Sequence, residues 1–350
     1  MSKKKNPYLP GFFQVFLSNS TVVFCNISSL KFKFLFLYKL TMWEKNQYTI
    51  NKKTSFTGIG LHSGENIDVT LIPANSNSGI IFIRSDLQEN NEIPANFKNV
   101  TSAKLCTKIA NNFGASVSTV EHLMAAFYIC GVDNLVVSLN GPEVPIMDGS
   151  AKDFVNIIKS SGLKKLEGKR TFVKIKKNIE LKEEDKQIKI TPINNYFQVK
   201  FTLDYKNSPL IQTQTNTINF QEKKLNDVYN ARTFCLYEDI EEIKSNGLAK
   251  GGSLDNAIVV KGNKILNEGG LRSKKEFVNH KILDLAGDFM LSGVRVIGSV
   301  ECIHGGHALT NKFLREIFSD KSNYEIIDIE ASSQNVRKIL PIHKRLAVNA

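Results

Sequence analysis

The apolar positions of this chain follow two periods in turn. Residues 47–51, 66–72 and 79–84 are rich in Ile, Val, Thr and Phe between Gly, Asn, Pro and Ser, which predicts strands. The glycine-punctuated stretch 57–64 lacks the lysine and following helix of a phosphate loop, so it reads as a tight hairpin. At 116–127 the pattern turns helical, with Ser118 and Glu121 spaced as a capping box and Gly131 as the stop. A buried strand at 134–140, a turn-rich loop at 141–150 and a helix at 151–161 follow. Strands resume at 172–175, 187–190 and 197–203. A helical pattern centred on 237–245, a glycine-rich connection and an apolar run at 257–260 come next. The strongest helical period lies at 276–288. There Phe277, Ile282, Leu283 and Leu285 are apolar, while His280, Asp284 and Asp288 stand at i, i+4 and i+8 and share one face. A strand at 294–302 and a helix at 311–319 complete the pattern.

The order repeats: early strands, a helix with a histidine near its start (His122, His280), a buried strand, a loop and a second helix. The economical architecture is α+β, two domains that each carry helices on one face of a sheet. The charged, apolar-poor stretch 164–170 marks the boundary, giving domains at 44–166 and 170–332 and a patternless tail at 333–350. Residues 1–41 differ from the rest. They hold seven of the 22 phenylalanines without a clear period, six lysines and no acid. Their apolar run is broken by Gln14, Ser18, Asn19 and Ser20, with no small-residue cleavage site. Translation from Met42, with 1–41 as an upstream extension, is the expectation; a membrane-surface anchor is the alternative. N-terminal sequencing of the native protein decides between them.

Composition narrows the class. The chain of 350 residues, 42% hydrophobic and 23% charged, is globular, and no window offers some 18 uncharged apolar residues in a row. Five scattered cysteines without a CxxC pair indicate reduced thiols in a cytoplasm. Half of the net charge of +12 lies in residues 1–41. The moderately basic remainder suits an anionic substrate or an acidic membrane surface. No basic-aromatic stripe or nucleic-acid module is present, so no nucleic acid partner is expected.

His122, His280 and Asp284 form a His₂Asp set, and three protein ligands with one open position is the catalytic pattern for zinc; such N/O ligation also admits iron. Water at the open position would have its pKa lowered to roughly 7, and Glu121 would take its proton during attack on a carbonyl. Thr233 offers a hydroxyl to the developing oxyanion. His307, beside Asp288, suits a cation that stabilises the oxyanion or protonates the leaving amine. Each residue also has a plain structural reading: Glu121 as a helix cap, His280 and Asp284 as a surface pair, His307 as the first residue after a glycine turn.

Five motifs carry a resemblance: Ser118-Thr119-Val120-Glu121-His122-Leu123, Pro142 to Ser150, Ala231-Arg232-Thr233-Phe234, His280-Lys281-Ile282-Leu283-Asp284 and Gly306-His307-Ala308-Leu309. In this order they resemble the motif set of the UDP-3-O-acyl-N-acetylglucosamine deacetylases, which catalyse the committed step of lipid A synthesis in Gram-negative bacteria. The resemblance runs from about Gln47 to about Ala331. It implies two α+β domains packed helix layer to helix layer, one zinc ion per chain on His122, His280 and Asp284, and Glu121 as general base. It further implies His307 as acid or electrostatic stabiliser with Asp288 as its partner, and Thr233 at the oxyanion. Lys281, Phe234 and Tyr205 would line the substrate site. The insert at about 234–260 would form the acyl passage, in which Ala249 and Asn256 replace bulkier or more apolar residues. His304 stands where a lysine or arginine would meet the nucleotide phosphates. The implied protein is a cytoplasmic, monomeric hydrolase of a UDP-linked acylated glucosamine, in peripheral contact with the inner membrane. The rival reading from another class is a basic lipid- or nucleic-acid-binding protein whose His–Asp pairs are structural.

Overall fold

Two helices that are buried on nearly every side lie at the centre of the molecule. In the computed structural model, which describes residues 44–221 and 225–327, they are α1 (Glu121–Cys130), every residue of which is buried, and α3 (Glu276–Met290), buried except at Lys281. A helix without a solvated stripe must be covered all round, and each is covered on one side by a sheet and on the other by its counterpart. The expected stretches 1–41 and 333–350 lie outside the described residues.

The first sheet has five strands in the order Thr54–Ile59, Asn66–Pro73, Leu135–Leu139, Ile80–Arg84 and Glu92–Pro94. Helix α1 and the amphipathic α2 (Lys152–Ser161) lie together, and α2 buries Phe154, Val155 and Ile158. The second sheet has seven strands around the long central strand Arg295–Ile303. That strand runs parallel to Phe172–Ile175 and Phe197–Tyr205 and antiparallel to Lys186–Thr191. Helix α3 and α4 (His307–Ser319) belong to this half, and α1 meets α3 across the middle. The architecture is α+β, two sheets each with a helix layer, packed helices to helices. Among the described residues no helix is long and apolar enough to cross a membrane.

The structure corrects several local expectations. The capping box does not form: Ser118 bridges to Glu143, Val120 precedes the helix with helical dihedrals, and the Glu121 carboxylate turns inward. The polar face of the 276–288 helix does not meet water; it is buried against α1. The charged stretch 164–170, expected as the domain boundary, lies largely in a strand, Leu163–Lys169, which pairs antiparallel with Asn46–Ile50. The last helix begins at His307, four residues before the periodicity alone indicates.

Three devices fix how α1 and α3 meet. Gly287 comes so near α1 that a Cβ there would stand 2.0 Å from the Glu121 carbonyl oxygen. Rings of Tyr128, Phe197, Phe220 and Phe289 meet with centroids 5.2–5.8 Å apart, joining α1 and α3 to the second sheet; each such pair contributes about 0.5–1.5 kcal/mol beyond its buried area. Arg295 on the central strand donates to the Tyr128 carbonyl at 3.0 Å and the Val132 carbonyl at 3.3 Å, setting a cation at the negative end of α1.

Candidate metal centre

The close approach at Gly287 sets the start of α1 against the middle of α3. His122 Nε2 then lies 3.4 Å and His280 Nε2 3.3 Å from the same oxygen, Asp284 Oδ1. All three side chains are buried. His280 Nδ1 lies 3.1 Å from the Ala231 carbonyl oxygen, a partner that can only accept, so Nδ1 carries the proton and Nε2 presents a bare lone pair. That lone pair faces a carboxylate oxygen that has no hydrogen-bond partner among the described residues. Acceptors face acceptors, an arrangement that calls for a cation. A tetrahedral zinc site with bonds of about 2.0–2.1 Å has ligand–ligand edges of about 3.3 Å, which the two observed separations match. The residues fit a divalent metal, and among the described residues they are the one such cluster.

The surroundings hold Asp284 and His280 in the forms that ligation requires, carboxylate and neutral imidazole. Burial disfavours the charged form of Asp284, but His280, Lys281 and His122 outweigh it and hold the carboxyl well below its ordinary range. Lys281 Nζ donates to Asp284 Oδ2 at 2.7 Å, leaving Oδ1 for the metal. Burial, with His122 and Lys281 nearby, pushes His280 down to about 3, so its imidazole is neutral as ligation requires. Behind it Arg232 Nε donates to buried Glu276 at 2.8 Å, which fixes the segment 231–233 whose carbonyl orients the His280 ring.

Beside the ligands stands a second cluster. Glu121 Oε2 accepts the Thr107 backbone N–H at 3.0 Å, and its Oε1 lies 3.7 Å from His307 Nε2. His307 Nδ1 donates to Asp288 Oδ2 at 2.8 Å, and Asp288 Oδ1 accepts from the Thr107 hydroxyl at 2.7 Å. Burial pushes Glu121 up from the ordinary carboxylate value. For His307, burial opposes the imidazolium, but Asp288, then Glu121 and Asp284, outweigh it and push the group up to about 9.

Of the remaining expected residues, Phe234, Tyr205 and His304 form a line leading away from the ligands. The Phe234 ring is 6.4 Å from His280, Tyr205 is 5.8 Å from Phe234, and His304 is 6.1 Å from Tyr205. His304 pairs with Asp185 at 2.7 Å. Thr233 sits half-buried between the anchored Arg232 and Phe234, its N–H bonded to Gly149 O at 2.8 Å.

A model of the family UDP-3-O-acyl N-acetylglycosamine deacetylase matches residues 47–319. The chain belongs to this deacetylase family. The family's curated members include the UDP-3-O-acyl-N-acetylglucosamine deacetylase of Geotalea uraniireducens, 43% identical over 81% of this chain and 92% of the relative. That of Myxococcus xanthus is 44% identical over 81% and 89%, and that of Haemophilus ducreyi 40% over 82% and 95%. As a member of the family the chain is a hydrolase acting on an amide.

Sequence reasoning missed Thr107, which touches both Glu121 and Asp288, and Gly287, which lets the helices meet. Nothing in the sequence around Thr107 signals its part. Gly287 did carry a signal, since a glycine inside a helix costs about 1 kcal/mol relative to alanine and asks for a packing reason. Lys281 is expected as a substrate contact; in the structure its Nζ donates to Asp284 Oδ2.

Proposed function

We propose that this deacetylase removes acetate from UDP-3-O-acyl-N-acetylglucosamine, the committed step of lipid A synthesis, with one zinc ion held by His122, His280 and Asp284. The observation that carries the reading is the convergence of two imidazole nitrogens and one unpartnered carboxylate oxygen at 3.3–3.4 Å beside a buried Glu121–His307 pair. When bound, the metal supplies a Lewis acid that polarises the amide carbonyl and makes water acidic near neutral pH.

The protein's own groups handle the protons. Glu121, held by the Thr107 N–H, takes a proton from the attacking water. The water oxygen bonds to the acetyl carbon, and the Thr233 hydroxyl donates to the oxyanion that develops. His307, kept cationic by Asp288, stands beside Glu121 and gives a proton to the amine nitrogen as the C–N bond breaks. Acetate and a free amine leave. Tyr205, Phe234, Lys281 and His304 contact the substrate, and the insert 234–260 guides the acyl chain. The basic body suits the diphosphate. One chain supplies the whole constellation, so a cytoplasmic monomer that meets its amphiphilic substrate at the inner membrane surface suffices.

The test is acetate release from the UDP-linked substrate by wild type, Glu121→Ala and His307→Ala, with metal analysis of each. Both variants should keep the metal and lose about 100- to 10,000-fold in kcat. Full activity in both overturns the mechanism.

A further inference from the structure

The loop 141–150 holds a buried carboxylate that the chemistry above does not use. Glu143 is 2% exposed and has no cation within salt-bridge distance among the described residues. Its oxygens accept from three donors. They take the His62 N–H at 3.0 and 3.1 Å, the Ser63 N–H at 2.8 Å and the Thr119 hydroxyl at 2.8 Å.

The two ends of this network reach different parts of the site. Thr119 lies two residues before Glu121 and has φ +58°, a conformation that strains a β-branched residue. It is buried, and its hydroxyl donates to Glu143 at 2.8 Å. At the other end, Glu143 fixes the turn at 60–64. Gly60 is required for the approach, since a Cβ there would meet Glu143 Oε2 at 2.6 Å. The return of the insert rests on that same turn. Gly251 N–H donates to Leu61 O at 3.0 Å, Lys250 N–H to His62 O at 3.4 Å, and Ala249 N–H to His62 Nδ1 at 3.4 Å. A Cβ on Gly251 would stand 2.3 Å from Gly60 O, so insert and turn are in backbone contact.

We propose that Glu143 is a positioning residue that couples the acyl-side insert to the base, holding the insert through the 60–64 turn and Glu121 through strained Thr119. This rests on the reading of the protein as a UDP-sugar deacetylase whose insert guides the acyl chain. A buried acceptor serving both places means that the rim which selects the chain and the helix that carries the base move as one.

The experiment compares kcat and kcat/KM on UDP-linked substrates bearing a long and a short acyl chain, with zinc content and Tm, for wild type, Glu143→Gln and Glu143→Gln/Thr119→Gly. An amide in place of the carboxylate turns a donor toward donors. Glu143→Gln should keep its zinc, lose about 10-fold in kcat and change the long-to-short ratio of kcat/KM by several-fold. Glycine adopts φ +58° without help, so the double variant should recover kcat while the altered chain ratio remains. Unchanged kcat and ratio in Glu143→Gln overturns the proposal. So does a loss that follows Tm, leaves the ratio untouched and is not recovered by Thr119→Gly, because that is a structural acid and no more. If wild type itself releases no acetate, the functional reading fails first, which the wild-type arm alone reveals.

Discussion

The ligand cluster and the insert at 234–260 are built by opposite means. In the cluster, Glu121, His122, His280, Asp284, Asp288 and His307 are all buried, and all stand on the buried parts of three helices. Nearly every one is oriented by a partner: Thr107 on Glu121 and Asp288, Ala231 on His280, Lys281 on Asp284, Asp288 on His307. In the insert, the helix Ile240–Ser245 buries nothing, Tyr237 and Leu254 are exposed, and its return is tied to the 60–64 turn by a few backbone bonds. Bond-making chemistry needs groups placed within a fraction of an ångström, which packed helices provide. On the proposed reading the insert guides the acyl chain, and a thin, exposed segment suits that part better than a packed one.

The sharpest way to break the contrast is to disturb the packing under the cluster. Gly287→Ala drives a methyl against the Glu121 carbonyl and pushes α1 from α3. A displacement of about 1 Å costs on the order of 100-fold in rate. Steady-state kinetics together with metal analysis should show turnover and zinc affinity falling together, with KM for the residual activity little changed.

Next is the pH profile. In the proposed mechanism Glu121 acts ionised and His307 protonated; the Glu121 group is raised, so activity should rise at a pH above the ordinary carboxylate range. His307 sits at about 9, so activity is present below that pH and lost as pH rises through it. Asp288→Asn removes the charge that holds His307 up, so its alkaline limb should move to lower pH and the deficit should grow with pH. A limb that stays put would detach His307 from the rate-determining proton transfer.

Thr107→Val removes only the hydroxyl donated to Asp288 and keeps the N–H on Glu121. Losing one hydrogen bond to a charged group is worth about 1.5–3 kcal/mol, hence roughly 10- to 100-fold in kcat. Thr107→Ser should restore it. Smallest of all should be the effect on kcat of Tyr205→Ala, outside the ligands. It should raise KM several-fold with kcat within about a factor of three, as expected where binding rather than transition-state contact is lost. A large kcat loss there would erase the distinction between cluster and rim.

What could be read beforehand follows the same division. His280, Asp284 and Asp288 were legible because helical spacing turns sequence into a face, and His122 and His307 because motifs mark them. The sheets were legible where β-branched residues alternate, as in Asn66–Pro73, but not in Leu163–Lys169, where lysines and a glutamate mask a strand whose partner lies more than 100 residues away. The capping box was misread because local spacing cannot say that Glu121 has a better use in the tertiary structure. Thr107 and Glu143 were invisible in their roles for a related reason: their bonds to Asp288 and to the 60–64 turn span residues 181 and 80 apart.

The central claim is that His122, His280 and Asp284 hold a metal needed for deacetylation. The most direct measurement is zinc content per chain together with acetate release from UDP-3-O-acyl-N-acetylglucosamine, for wild type and His280→Ala. The account predicts about one zinc per wild-type chain, and loss of metal and turnover together in a variant that remains folded. A folded wild type that binds no metal, or a His280→Ala variant that keeps full turnover, would contradict it.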